Sequence, residues 1–238
     1  MKSSISIIIP VFNESATIIE LLEHLKQKAF SISNISEIIV VDGGSDDDTF
    51  EKVATLSRKQ DHSHIKILHS KKGRAAQMNT GSESAKGDIL YFLHADSYPP
   101  QDYDHLIIKE VEQGNEAGCF KMKFDSNHWW LRLAGWLTQF EWRACRGGDQ
   151  SQFITKNLFN ELGRFDERYI IYEDNDLINK LYARNEFVVI QEWLTTSARR
   201  YEENGIWKLQ YYFWSIYVRK WFGASPEELH QFYLKKVS

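Results

Sequence analysis

The sequence predicts an α/β fold with a mostly parallel sheet and helices on both faces. Two observations carry the prediction. Four short runs rich in β-branched residues recur in the first hundred positions, with helical spacing in the segments between them. The runs are apolar on both faces, as strands between two helical layers are, rather than alternating as half-exposed strands do.

The elements follow in order. Residues 5–9, Ile-Ser-Ile-Ile-Ile, form a strand closed by Pro10, and residues 15–28 carry Ile18, Ile19, Leu22 and Leu25 at helical spacing. Residues 38–41 lead through Asp42-Gly43-Gly44-Ser45 into a helix holding Val53 and Leu56. Residues 65–68 lead through Lys71-Lys72-Gly73 into a third helix, and residues 89–93 end at His94-Ala95-Asp96 ahead of Pro99-Pro100. From Glu116 the alternation gives way to a strand at 119–124, an aromatic helical stretch at 128–145, a helix at 175–185 and a strand at 187–190. Residues 206–222 are helical and aromatic. Their stripe of Trp207, Tyr211, Trp214, Val218 and Trp221 is expected to pack on the domain or on a dimer partner, ahead of contact with a membrane. Ser225 and Pro226 suit the N-cap and N1 positions of a last helix.

Composition narrows the function. With 29 basic and 33 acidic residues among 238, the net charge of −4 offers no global attraction to nucleic acid, so any anion site is local. A 42% hydrophobic content with 4 Pro and 13 Gly belongs to a globular chain able to build one large core. No internal repeat stands out. Cys119 and Cys145 lack metal-ligand spacing and are too few for a disulfide scaffold, which suits a reducing compartment. No apolar run reaches the roughly 18 residues of a membrane span, and residues 5–9 are too short for a secretory signal. A cytoplasmic protein is expected, with peripheral membrane contact through residues 206–222 as the alternative use of that segment.

Parallel sheets bind ligands outside the carboxyl ends of their strands, and polar groups gather at those ends here. Asp42 precedes two glycines and can present its carboxylate to a ligand base; alone, an aspartate there is more often a turn or cap residue. Residues 42–46 lack the GxGxxG spacing, and the aspartates at 46, 47 and 48 would repel a pyrophosphate, so a dinucleotide oxidoreductase is disfavoured. His94 and Asp96 point the same way from a strand end and suit a divalent cation shared with a diphosphate; the plainer reading makes Asp96 the cap of the helix after Pro99-Pro100. Glu173, Asp174 and Asp176 crowd the start of a helix, where dipole effects favour acids and where adjacent carboxylates suit a general base. Arg199 and Arg200 suit a diphosphate or a solvated surface pair.

In order and spacing these segments resemble the successive motifs of family 2 glycosyltransferases. The motifs are Ile8-Ile9-Pro10-Val11-Phe12-Asn13-Glu14, Val40-Val41-Asp42-Gly43-Gly44-Ser45, Gly73 to Gly81, Leu93-His94-Ala95-Asp96-Ser97 and Glu173-Asp174. Gly148-Asp149-Gln150 and Arg199-Arg200-Tyr201 extend the likeness toward the arsenosugar-biosynthesis-type glycosyltransferases. The resemblance implies a GT-A fold, a Rossmann-like, mostly parallel sheet, over residues 1–203. Residues 1–100 are its nucleotide half and 101–203 its acceptor half, with a C-terminal aromatic helical extension at 204–238. It implies a hexosyltransferase-like enzyme using a UDP- or GDP-sugar donor and Mn²⁺ or Mg²⁺. Pro10, Val11, Phe12, Glu14, Asp42, Arg74, His94, Arg199 and Arg200 would serve the donor, and Asp96 the metal. Asp149 and Gln150 would line the acceptor or sugar pocket, and Asp174, or failing it Glu173, would be the base. His94 stands where many relatives have an aspartate.

The implied reaction is a single inverting displacement onto an acceptor hydroxyl. A nucleotidyltransferase is the first rival, but it would want a Gly-rich triphosphate loop where Val11-Phe12-Asn13-Glu14 stands. A non-catalytic nucleotide-sugar-binding partner protein is the second, and it would have no use for Glu173-Asp174.

Overall fold

In the computed structural model, which describes residues 3–147 and 150–236, eight strands form one sheet. β1 (Ile5–Val11), β2 (Ile35–Asp42), β3 (Ile65–His69) and β4 (Ile89–Phe92) are the four predicted strands. β5 (Ser97–Tyr98), β6 (Ala117–Phe124), β7 (Gln152–Thr155) and β8 (Val188–Thr196) complete the order β3-β2-β1-β4-β7-β6-β8-β5. β7 pairs antiparallel with β4 and β6, and β5 antiparallel with β8, while the other pairings are parallel. The sheet is therefore mostly parallel, as the sequence implied. β8 runs six residues beyond the predicted Ile190. Its register against β6 jumps from Ile190 to Trp193, so Gln191 and Glu192 are absorbed in a bulge that broke the apolar pattern.

Among the described residues ten α-helices surround the sheet: α1 (Ile18–Lys28), α2 (Thr49–Ser57), α3 (Arg74–Ser84), α4 (Tyr103–Glu112), α5 (Trp129–Leu137), α6 (Lys156–Glu161), α7 (Glu173–Ala183), α8 (Arg199–Asn204), α9 (Ile206–Trp221) and α10 (Pro226–Lys236). Strand alternation divides the core between two layers. Ile5, Ile7, Ile9 and Val11 pack with Leu21, Leu22 and Leu25 of α1, while Ile8, Ile39 and Val41 face Met78 of α3 and Leu177 of α7. α3 lies so close to β1 that a Cβ at Gly81 would sit 2.5 Å from Ile8 Cγ2.

Three local expectations change. Asp96 does not cap a helix, since α4 starts at Tyr103 with Asp102 as its N-cap. The aromatic stretch is broken, with α5 ending at Leu137 and only a short 3₁₀ turn at Arg143–Cys145. The α9 stripe does not pack on the domain, one of the two partners expected for it; in the chain it is the exposed one. Trp207, Tyr211, Trp214, Val218 and Trp221 stand in solvent, and the buried residues are Leu209 and Ile216. Nearly every face of α9 is apolar, so Leu209, Phe213 and Ile216 supply a competing stripe, and that one meets the protein. Ser225 does cap α10: its Oγ accepts from Glu228 N (3.2 Å) while the Glu228 carboxylate accepts from Ser225 N (2.8 Å). Among the described residues no helix is long and apolar enough to cross a membrane.

Candidate active site

The chain lays β2 and β3 on one side of β1 and β4 on the other, so the order of the parallel strands reverses between β1 and β4. Clefts open at such reversals. Here pairing of β1 with β4 stops at Ile8 and Phe92, whereas pairing with β2 continues to Val11 and Asp42. Pro10 sits past the point where β4 has left, so its missing N–H interrupts no ladder on that side.

The loops after β1 and β2 are locked to each other. Asn13, at φ 57°, donates its N–H to Ser45 Oγ (2.9 Å) and accepts from Asp46 N at Oδ1 (3.0 Å). The Asp47 carboxylate accepts from Ser15 N (3.1 Å), Thr49 N (2.9 Å) and the Thr49 hydroxyl. Burial pushes the Asp47 carboxyl up, but the hydrogen bonds from Thr49 and Ser15 outweigh it and hold it at about 2. Gln77 Nε2 donates to the carbonyls of Val11 and Val41, each at 2.8 Å, and fastens α3 to both strand ends. Asp42 is only 1% exposed. Its oxygens accept from Gly44 N (3.0 Å), Ser45 N (3.2 Å) and Ser45 Oγ (2.5 Å), which is the turn role an aspartate before two glycines takes.

From the far half of the chain the first turn of α7 reaches α3. Arg74 Nε and Nη2 each lie 2.6 Å from Glu173 Oε1, and Nη2 lies 3.3 Å from Asp174 Oδ2. Glu173 is wholly buried, and its Oε2 has no hydrogen-bond partner among the described residues. The two acids also stand at a helix N-terminus, where the peptide dipoles favour negative charge.

Beside this triad lies a cleft open to solvent. Arg74, His94, Asp96, Thr196, Ser197 and Arg200 supply its polar wall, with Tyr201, Leu209 and Phe213 among its apolar residues. A narrow crevice adjoins it, lined by Pro10, His94, Gln150, Gln152 and Asp174 among others. His94 borders both, so Asp96 and Asp174 belong to neighbouring spaces; Asp42 lines neither.

The other expected residues are spread along the rim. Val11 is buried at the end of β1, and Phe12 is exposed with Lys72 Nζ 3.7 Å from its ring centroid. Glu14 meets Arg199 at 3.3 Å, which ties the first loop to α8. Arg200 turns the other way, facing the cleft and donating to the Tyr233 hydroxyl. Gln150 accepts from the Cys119 thiol (3.7 Å) and donates to Cys145 O (3.2 Å); Asp149 lies outside the described residues. Among the described residues no cluster of three or more His, Cys, Asp or Glu gathers as for a metal ion. One carboxylate, that of Asp96, with the His94 imidazole on the same cleft fits a Mg²⁺ or Mn²⁺ ion that completes its shell with phosphate and water.

Sequence reasoning passed over three residues. Gln77 had a signal, a polar side chain inside a helix of small buried residues. Arg146 is buried and donates to the carbonyls of Thr138 and Phe140 and to Cys119 Sγ (3.1 Å), anchoring the segment ahead of Gln150. Burial pushes the Cys119 thiol up, and the Arg146 guanidinium only partly offsets it. Gln152, 4% exposed, has no hydrogen-bond partner among the described residues for either side-chain polar atom, and nothing in its sequence context announced that.

Comparison with known proteins agrees with this fold. The undecaprenyl-phosphate 4-deoxy-4-formamido-L-arabinose transferase of Pseudomonas syringae pv. syringae is 32% identical over 114 residues, 48% of this chain and 34% of that protein. A dolichyl N-acetyl-alpha-D-glucosaminyl phosphate 3-beta-D-2,3-diacetamido-2,3-dideoxy-beta-D-glucuronosyltransferase of Methanococcus voltae is 36% identical over 100 residues, 42% of this chain and 31% of that one. The chain thus spans about a third of the length of these curated relatives. Among solved structures, the mannosyltransferase PcManGT from Pyrobaculum calidifontis in complex with GDP-Man and Mn²⁺ has a TM-score of 0.71 at 17% identity, covering 98% of this chain and 70% of that one. S. aureus TarS 1-349 in complex with UDP has a TM-score of 0.64 at 19% identity, covering 82% and 60%. The shared architecture is the GT-A fold. The profile of glycosyl transferase family 2 matches residues 6–165, more than half of the chain, and the chain belongs to that family.

Proposed function

We propose that the chain is an inverting glycosyltransferase that moves a sugar from a nucleoside-diphosphate sugar to an acceptor hydroxyl. The observation that carries the reading is the meeting of Arg74, Asp96 and Arg200 around one cleft, with Asp174 held against Arg74 beside it. The family membership and the nucleotide-containing structural neighbours support it.

The chemistry follows from charge. As the acceptor oxygen bonds to the anomeric carbon, the bond from that carbon to the diphosphate oxygen breaks and its electron pair leaves with the diphosphate. Arg200 faces the cleft as a donor for that negative charge, and Arg74, held by Glu173 and Asp174, adds its positive charge to the same wall. A divalent cation, Mn²⁺ or Mg²⁺, held by Asp96 with His94 beside it, would neutralise the same charge. The acceptor proton goes to the Asp174 carboxylate, which Arg74 orients. Glu173 shares that guanidinium but is sealed from solvent, so it positions rather than reacts. Gln150 lines the crevice beside Asp174, and its role is assigned to the sugar or acceptor. Asp42 contributes to the nucleotide site, its carboxylate held at the strand end by the bonds from Gly44 and Ser45.

The test is a panel of UDP- and GDP-sugars with Mn²⁺ and Mg²⁺, read first as thermal stabilisation and then as transfer. A matching donor is expected to raise the melting temperature, and Asp174→Asn to lower transfer by about 10²–10⁴-fold while donor binding persists. Undiminished turnover in that variant removes the base assignment, and indifference to every nucleotide sugar removes the transferase reading.

A further inference from the structure

α9 divides its aromatic side chains between two environments. Leu209 and Phe213 wall the cleft, while Trp207, Tyr211 and Trp214 stand in solvent and Trp221 is 85% exposed. α5 lies alongside and extends the exposed rings into a joined surface. Trp129 and Trp130 meet Trp207 at centroid distances of 5.8 and 5.4 Å, and Trp130 meets Trp214 at 6.0 Å. An exposed aromatic surface shared by two helices marks a binding face rather than scattered surface residues.

Charge identifies the occupant. The chain as a whole is at −4, yet α5 and α9 contain Arg132, Lys208, Arg219 and Lys220 and no aspartate or glutamate. Arg132, Lys208 and Arg219 are exposed. A two-fold dimer through this face would set the same cations against one another, with no carboxylate on either helix to pair them. An anionic bilayer supplies the missing charge. Trp and Tyr settle at the headgroup level, and flanking Lys and Arg reach the phosphates. We propose that the α5–α9 face docks on an anionic lipid surface. α9 is about 10 Å across, so the cleft on its inner side then lies about one helix diameter from the headgroups.

This inference rests on the surface alone, and its test is independent of transfer. The full chain is sedimented with vesicles of phosphatidylcholine, or of phosphatidylcholine mixed with phosphatidylglycerol, at low and high salt. It is expected to pellet with the mixed vesicles at low salt and to be released by high salt. Lys208→Gln combined with Arg219→Gln should weaken the partition on the order of 20-fold, at about fivefold for each cation removed. Trp221→Ser should also weaken it, with an unchanged melting temperature because the side chain is exposed. Retention in the supernatant with mixed vesicles at low salt overturns the proposal, as does binding that ignores lipid charge and salt. A concentration-dependent dimer abolished by Trp221→Ser, without vesicle binding, assigns the face to a second copy instead.

Discussion

Arg74→Met tests the link between the two halves of the candidate site. The guanidinium lies 2.6 Å from Glu173 Oε1 and 3.3 Å from Asp174 Oδ2. At 2.6 Å and an effective dielectric of about 20, the gross Coulomb attraction is about 6 kcal/mol. Two effects reduce it. Burying Glu173 removes its hydration, and the Arg74 side chain is 35% exposed, so water screens part of the pair. Truncating one partner of a buried pair typically costs about 3–5 kcal/mol, and the exposed guanidinium places this case near the lower end, at about 3 kcal/mol. Methionine keeps most of the stem packing, which isolates the charge. With a urea slope of about 2–3 kcal/mol/M, the midpoint should fall by about 1 M. A double-mutant cycle with Glu173→Gln separates the pair from the rest of the arginine and should return a coupling of about 2 kcal/mol. A loss under about 0.5 kcal/mol for Arg74→Met, or additive single effects, would refute the reasoning.

Three further outcomes are expected. Asp96→Ala should remove the dependence of donor binding on Mn²⁺, seen as about a tenfold or greater weakening in titrations with the metal present; equal donor affinity of the parent protein with and without Mn²⁺ would contradict the metal role. Asp47→Asn should destabilise the protein by about 1 kcal/mol at neutral pH. The folded-state carboxyl lies at about 2, below its ordinary 3.8, so its contribution is complete above about pH 4 and is lost as pH falls toward 2. Parent and variant should therefore converge in acid urea melts, and a widening gap would reverse the sign. Gln152→Met replaces an unpartnered buried amide with an apolar chain of similar length, so stability should hold or rise; a loss above about 1 kcal/mol in chemical denaturation would show that the amide makes a bond.

Much of the site was legible because strand ends carry their own punctuation. Asp42-Gly43-Gly44, His94-Ala95-Asp96 and Glu173-Asp174 each follow or open an apolar pattern, so their places at the rim could be read before any coordinates. The bond that joins them could not. Arg74 and Glu173 are 99 positions apart, and nothing local to either names the other. β5 and β7 were illegible for a different reason: β5 is two residues long, and β7, Gln-Phe-Ile-Thr, has only two apolar residues, whereas the equally short β4 is apolar throughout.

By itself the sequence determined the alternation of strands and helices, their parallel arrangement and the chemistry offered at each strand end. These follow from side-chain branching, backbone period and turn residues within a few positions of one another. Only the tertiary structure decided that Arg199 turns to Glu14 while Arg200 turns to the cleft. It also decided which stripe of α9 is buried, because period assigns residues to a helix face but cannot choose the inner one when both faces are apolar. That choice is made by the shape of the surface the helix meets.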